Sequence, residues 1–386
     1  MRKLLTIALA ALVLPMLSGA GTVTAQEKLR LPFAYIFSGP FIEFGTRVWN
    51  EGVVPGVEII NKNGGIRGKQ VEFYKVDVRF PETAGWIAEF RRMCKNPEIP
   101  VVLGVGATKS TLAIFQDNKK CGLPVLSPSS GGAWPHKTAD GKKDFGCCMF
   151  RYQPVPDEVM PVLIRTAKER LGIKTAALSH SIDDDFSTNN IKVSRKALQD
   201  AGIEIVADVG FKDAETNFAS QVASFRRARP DAIVMHHQPG PAGTFLLQLR
   251  DRGVKGQIIS DIIVGGADFW KQSNGHAKGA IGYSLYSVDD PSPAVQDWVK
   301  KWRAITGKKG APDAFVTAYY DSVQVLAHVL NSAKSMKRED ILESFLNIKE
   351  YQTISGTITW NNVGDIFRPA PILVQVGDEG VLNLWK

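Results

Sequence analysis

The residues best suited to chemistry lie in two small-residue turns. One reads Gly104-Val105-Gly106-Ala107-Thr108-Lys109-Ser110, the other Ser127-Pro128-Ser129-Ser130-Gly131-Gly132. Hydroxyls and backbone N–H groups crowd both, and small residues admit close backbone approach. The spacing predicts a helix after the first turn. Its opening N–H groups are unpaired and its dipole end is positive, so a small anion suits the place. On turn composition alone, Ser129-Ser130-Gly131-Gly132 reads equally well as a flexible loop. Two nucleotide motifs fail. A dinucleotide loop needs a third glycine at position 109, which is Lys109, and a phosphate loop needs glycine at position 108, which is Thr108. Lys109 reads as a solvated residue at a helix start. His236-His237 beside Asp183-Asp184-Asp185 raises a metal site, but adjacent strand residues point to opposite faces, so no metal is expected. No Ser-His-acid or paired-carboxylate spacing demands catalysis, and neither an enzyme nor a cofactor is expected.

The elements that must hold these turns alternate strand and helix along nearly the whole chain. Leu29–Ile36, Val71–Val78 and the two turns' own strands are separated by helices near Glu43–Asn63 and Glu82–Cys94. Gly52, Pro55 and Gly56 predict a kink or break in the first of these, near Pro55. After a strand at Cys147–Tyr152 the pattern starts again: helix Asp157–Arg170, strand Lys174–Ser179, and further units as far as Gln257–Ser260. Strands alternating with helices of this length imply parallel sheets with right-handed crossovers. The expected fold is therefore α/β, with two Rossmann-like doubly wound lobes joined by a multi-strand hinge. The joins fall near Arg151–Pro156 and Tyr283–Pro293. The first lobe is expected to take 26–151 and about 284–333, and the second 152–283 and about 334–386. Ligands of such sheets collect at the carboxyl ends of strands, which places the site in the cleft between lobes.

Residues 1–25 read as an address: Arg2 and Lys3, an apolar run from Leu4 to Leu17, then Val23-Thr24-Ala25, with cleavage expected after Ala25. An exported, periplasmic protein follows. The 386 residues carry 47 basic and 39 acidic side chains, a formal charge of +8. The basic residues are scattered rather than clustered, so the charge reads as solvated surface and nucleic acid is not an expected partner. Four cysteines are present. Cys94 and Cys121 end consecutive predicted helices. Right-handed crossovers on one sheet face bring those ends together, which favours a Cys94–Cys121 disulfide in an oxidising compartment. Cys147-Cys148 reads as buried thiols in an apolar strand.

In order and spacing the chain resembles the periplasmic solute-binding proteins of ABC transporters, type I fold, in the branched-chain amino acid (Leu/Ile/Val) binding group. The marks are Phe37-Ser38-Gly39-Pro40, Ile59-Ile60-Asn61 with Gly64-Gly65-Ile66 and Gly68, Asp77, the two turns, Phe150-Arg151, Ala201-Gly202, Pro230-Asp231-Ala232, Tyr320-Asp321 and Gly364-Asp365. The resemblance implies binding without chemistry, by a monomer whose lobes close on a small-molecule solute and present it to a membrane permease. A sensor of the same fold reporting to a receptor is the alternative role.

The resemblance also implies contacts. A ligand carboxylate would meet Ala107 and Thr108 in the first turn and Ser129, Ser130 and Gly131 in the second. Phe44, Phe186 and Phe315 fall where the family keeps aromatics around the ligand, with Phe41 and Trp134 as further wall candidates. The first two are commonly tyrosine in amino acid binders, and phenylalanine makes a drier pocket. Amino acid binders place an acid after the second lobe's fourth strand to meet the ammonium. The matching position here is Ile262, next to Asp261. Either Asp261 serves by a one-residue shift, or the ligand has no ammonium, since an unpaired buried one is costly. His236, His237 and Gln238 would offer bonds to a hydroxyl across the cleft. The expected ligand is a small organic carboxylate with an apolar or aromatic body. The alternative is a branched or aromatic amino acid, with Asp261 or Asp185 as partner.

Overall fold

The computed structural model describes residues 28–134, 148–360, 364–367 and 370–386. The expected leader and Cys147 lie outside them. The first lobe opens with β1 (Lys28–Tyr35), then α1 (Ile42–Val48), a π-helical turn (Trp49–Val53) and α2 (Val54–Lys62). No break marks Pro55. The π turn just before it lets the helix run on where a proline N–H is missing. β2 (Gln70–Asp77), α3 (Ala84–Lys95), β3 (Val102–Gly104), α4 (Thr108–Cys121), β4 (Val125–Ser127) and β5 (Met149–Arg151) complete the first sheet. All its pairings are parallel and its order is β2-β1-β3-β4-β5. Cys94 and Cys121, at the ends of α3 and α4, form a disulfide, and Cys148 is buried at the entrance to β5.

The second lobe repeats the plan: α5 (Pro156–Leu171), β6 (Thr175–Ser181), α6 (Asp185–Asp200), β7 (Glu204–Phe211), α7 (Ala219–Ala228), β8 (Ala232–His236), α8 (Pro239–Asp251), β9 (Gln257–Ser260), α9 (Ala267–Gln272) and β10 (Ile281–Ser284). Its parallel strands run β7-β6-β8-β9-β10. Both sheets thus share one winding, whose direction reverses between the first and third strands of each lobe. Ligands of such sheets bind at that reversal. Here it lies at the ends of β1 and β3 in one lobe and of β6 and β8 in the other.

The remaining chain crosses back. α10 (Pro293–Thr306) and α11 (Ala314–Ser332) join the first lobe. The Trp302 indole donates to Glu51 at 2.9 Å, and α11 is buried on almost every side against the π turn and α2. The expected boundary at about 334 is wrong. α12 (Arg338–Leu346) stays with the first lobe. Its Arg338 donates to the carbonyls of Met93, Cys94 and Asn96, and Phe345 stacks on Phe150 at 4.2 Å. A three-stranded sheet of β11 (Tyr351–Thr353), β12 (Gly356–Trp360) and β13 (Ile366–Phe367) follows. It is tied to the hinge, since Trp360 donates to the Arg151 carbonyl and the Arg151 N–H to that of Gly364. Among the described residues, β14 (Ile372–Val376) and β15 (Leu382–Leu384) return to the second lobe, extending its sheet antiparallel beyond β10 with β15 at the edge. The helix end at Cys94 offers unpaired carbonyls that only a donor such as Arg338 satisfies, which explains why α12 packs there.

Candidate functional site

The first turn is held from both sides. After β3, Val105 adopts a left-handed backbone (φ 56), a strained choice for a β-branched residue. Its N–H donates to the Ala34 carbonyl at 2.5 Å, and its carbonyl accepts from the Ser127 hydroxyl at 2.9 Å. Gly106 follows because nothing larger fits: a Cβ there would come within 2.2 Å of the Tyr319 hydroxyl and 2.4 Å of the Ser129 hydroxyl. α4 then begins from Ala107 with no side-chain cap, so its opening N–H groups are available to an anion.

The second turn is stitched to the first. The Gly132 N–H donates to the Thr108 hydroxyl at 3.0 Å, and the Ser130 and Thr111 hydroxyls lie 2.7 Å apart. Trp134 donates its indole N–H to Ser130 at 2.9 Å. Arg151, almost fully buried, donates to Asp365 and to the Gly132 carbonyl and lies over the Trp134 ring. The Ser129 hydroxyl is 3.0 Å from that of Tyr319. Tyr35 packs on Tyr319 with ring centres 4.7 Å apart, and burial pushes the Tyr35 hydroxyl's pKa up, so it stays protonated.

Between the lobes these elements enclose a narrow cavity of about 40 Å³. Phe44 and Phe315 meet edge to face at 5.2 Å and form one wall with Phe80. Phe186, from the first turn of α6, and Ile262 form the facing wall. Ala107, Thr108, Ser129 and Gln238 supply polar groups. Among the described residues, none that lines the cavity is an acid, a base or a histidine.

Several expectations need correction. Ser130 faces inward to Thr111 and Trp134, and Gly131 borders the cavity without lining it. Trp134 lies beneath the turn, not in the wall, and Phe41 packs behind Phe80 at 5.2 Å. Asp261 does not reach the cleft. It is fully buried, caps the Ile263 N–H at 3.0 Å, and accepts from His236 Nδ1 at 2.6 Å and Asn190 at 3.1 Å. Both histidines also turn away. His236 pairs with Ser194, while His237 pairs with Ser179 and stacks on Phe211 at 4.0 Å. Burial pushes the His237 pKa down, so this ring is neutral. Asp185 is exposed, and Asp184 caps α6 by accepting from the Ser187 N–H. Burial raises the Asp184 pKa, and its second oxygen has no hydrogen-bond partner. Tyr35, Phe80, Gln153 and Ile263 line the cavity without having been singled out. Only Tyr35 carried a signal, as the last residue of β1 at the reversal point. A larger groove of about 880 Å³ lies among Arg226, Arg227, Arg229, Arg252 and Lys255, at the other end of the second lobe's strands from the reversal point.

A family model described as "Periplasmic binding protein" matches residues 28–377. The Leu/Ile/Val-binding protein homolog 3 of Brucella melitensis is 21% identical over 351 residues, covering 90% of this chain and 91% of its own. Among solved structures, the branched-chain amino acid transporter substrate binding protein LivJ from Streptococcus pneumoniae, in complex with isoleucine, superposes with a TM-score of 0.79. It is 22% identical, over 92% of this chain and 98% of its own. A solute binding protein from R. palustris in complex with 4-hydroxybenzoate gives 0.78 at 16% identity, over 92% and 95%.

Proposed function

This chain belongs to the periplasmic binding protein family, type I, in the branched-chain amino acid group, and on that premise we propose that it is the substrate-binding component of an ABC importer for a small organic carboxylate with an apolar or aromatic body. The observation that carries the reading is the neutral cleft. Its walls are phenylalanine and isoleucine, Ile262 stands where an ammonium partner is expected, and Asp261 is committed elsewhere. An ammonium enclosed there would lose its water and gain no counter-charge. A carboxylate fares better, because the uncapped start of α4 with Thr108 and Ser129 offers donors on one side. That a neighbour of the same fold holds 4-hydroxybenzoate supports the reading. The solute is passed to a permease in the inner membrane, after export directed by residues 1–25.

The second reading is an amino acid ligand, as the names of the relatives suggest. The observation in its favour is the unbonded oxygen of Asp184, close to Gln238 at the cleft. Calorimetric titration of the mature protein separates the two. Micromolar or tighter binding of benzoate-type acids, with none of leucine or phenylalanine, is expected. Tight leucine binding with no response to the acids overturns the first reading.

A further inference from the structure

Gln153 lies in the first crossing between lobes, two residues beyond β5 and just before α5. It is 1% exposed and lines the cavity. A Cβ on Gly131 would come within 2.1 Å of its Nε2 and 2.8 Å of the Phe186 ring, so the glycine makes room for an amide pressed between turn and aromatic wall. Neither Nε2 nor Oε1 has a hydrogen-bond partner in the protein. The Tyr283 hydroxyl, buried on β10, lies near enough to feel the amide, yet no bond of acceptable length and angle joins them. Buried carboxamides are ordinarily satisfied, and one that lines a cavity with neither end paired is placed to meet something polar.

We propose that Gln153 is the specificity-determining residue of the cleft, selecting carboxylates whose second polar group is a neutral hydroxyl or carbonyl. An amide donates through nitrogen and accepts through oxygen. A hydroxyl, which also does both, satisfies it in either orientation. An ammonium only donates, so it can pair with Oε1 alone and leaves Nε2 unsatisfied. A bare hydrocarbon leaves both ends unpaired, and discrimination of this kind against an analogue lacking the polar group is large. The proposal rests on the carboxylate reading above.

The experiment titrates wild type, Gln153→Met and Gln153→Asn with benzoate, its three monohydroxy isomers and leucine. In wild type, at least one hydroxy isomer should bind about tenfold or more tighter than benzoate. Gln153→Met, of similar volume, should collapse that ratio to near one while benzoate binding stays within about threefold. Gln153→Asn withdraws the amide by one methylene and should lower the ratio by at least about threefold, which serves if the methionine variant does not fold. A ratio unchanged in either folded variant overturns the role of Gln153 and leaves the carboxylate reading standing. Wild type that binds leucine and none of the acids overturns both. A purely structural role would weaken all ligands alike, and the ratio would not move.

Discussion

Arg47 is the best place to test whether the lobes close on their ligand. From α1 in the first lobe its guanidinium reaches Asp268, on α9 of the second, through bonds of 3.1 and 2.9 Å. Its Nε bonds Asp313 at 2.9 Å, just before α11 in its own lobe. The side chains of Arg47 and Asp268 are 14% and 20% exposed, so the pair is better shielded than a surface bridge worth about 0–1 kcal/mol. Two parallel charge-assisted bonds in that setting are worth about 1–2 kcal/mol. Asp268→Ala removes only the cross-lobe partner. Arg47 keeps Asp313, so no buried charge is orphaned and the loss measures the latch itself. One to two kcal/mol corresponds to roughly a 5–30-fold change in equilibrium. Because the contact joins the lobes, the expected change is a faster dissociation rate with a nearly unchanged association rate. Stopped-flow fluorescence on the cleft's best ligand reads both. The nearby Glu43–Lys271 pair, 3.4 Å and well exposed, is the control, and Lys271→Ala should leave affinity within about twofold. If Asp268→Ala also stays within twofold, or if association carries the whole loss, the contact is not a latch.

Two other measurements follow from the same structure. Burial, and after it the charge of Asp184, raises the Asp213 carboxyl from 3.8 to about 7. The folded protein therefore holds a proton that the unfolded chain has lost, and stability falls as pH rises from about 4 through 7, then levels off. Asp213→Asn should flatten that slope in thermal melts taken across the window, and equal slopes would contradict the assignment. The Cys94–Cys121 disulfide closes a separation of 27 residues, worth about 3–4 kcal/mol by chain entropy. The double serine variant should show a lower denaturation midpoint in urea with cleft affinity retained, and an unchanged midpoint would refute the contribution.

The alternation of strands and helices sufficed to read both sheets, because right-handed crossovers leave few ways to wind them. It also pointed to the cleft, since ligands of such sheets collect at the carboxyl ends of strands. What escaped depends on neighbours far away in sequence. Ser129 and Ser130 are the same residue in the same turn, yet one meets the cavity and the other meets Thr111 and Trp134. Nothing local separates them. The placement of α12 hangs on Arg338 finding the carbonyls at the end of α3, a contact between segments more than two hundred residues apart. Gln153 has no motif around it. A polar residue in a crossing reads as solvated until the Gly131 turn and Phe186 are seen to close over it.

The second lobe shows why the missing ammonium partner is not simply displaced by one residue. Asp261 holds Ile263, His236 and Asn190 at once, and His236 in turn holds Ser194 on α6. Swinging the carboxylate into the cleft would break all three of its bonds and leave His236 and Asn190 buried without their acceptor, and disruptions of buried pairs of this kind cost about 3–5 kcal/mol. One ammonium contact, itself requiring the amine to shed its water, returns little of that. The acid adjacent to the expected position is therefore a structural anchor for the loop that presents Ile262, and the second lobe offers the cavity an apolar face there. With the charges turned inward, the polar side chains that line the cavity are Thr108 and Ser129 of the first lobe's turns, Tyr35, and the two amides, Gln153 and Gln238. That set suits an acid at one end and a neutral group at the other.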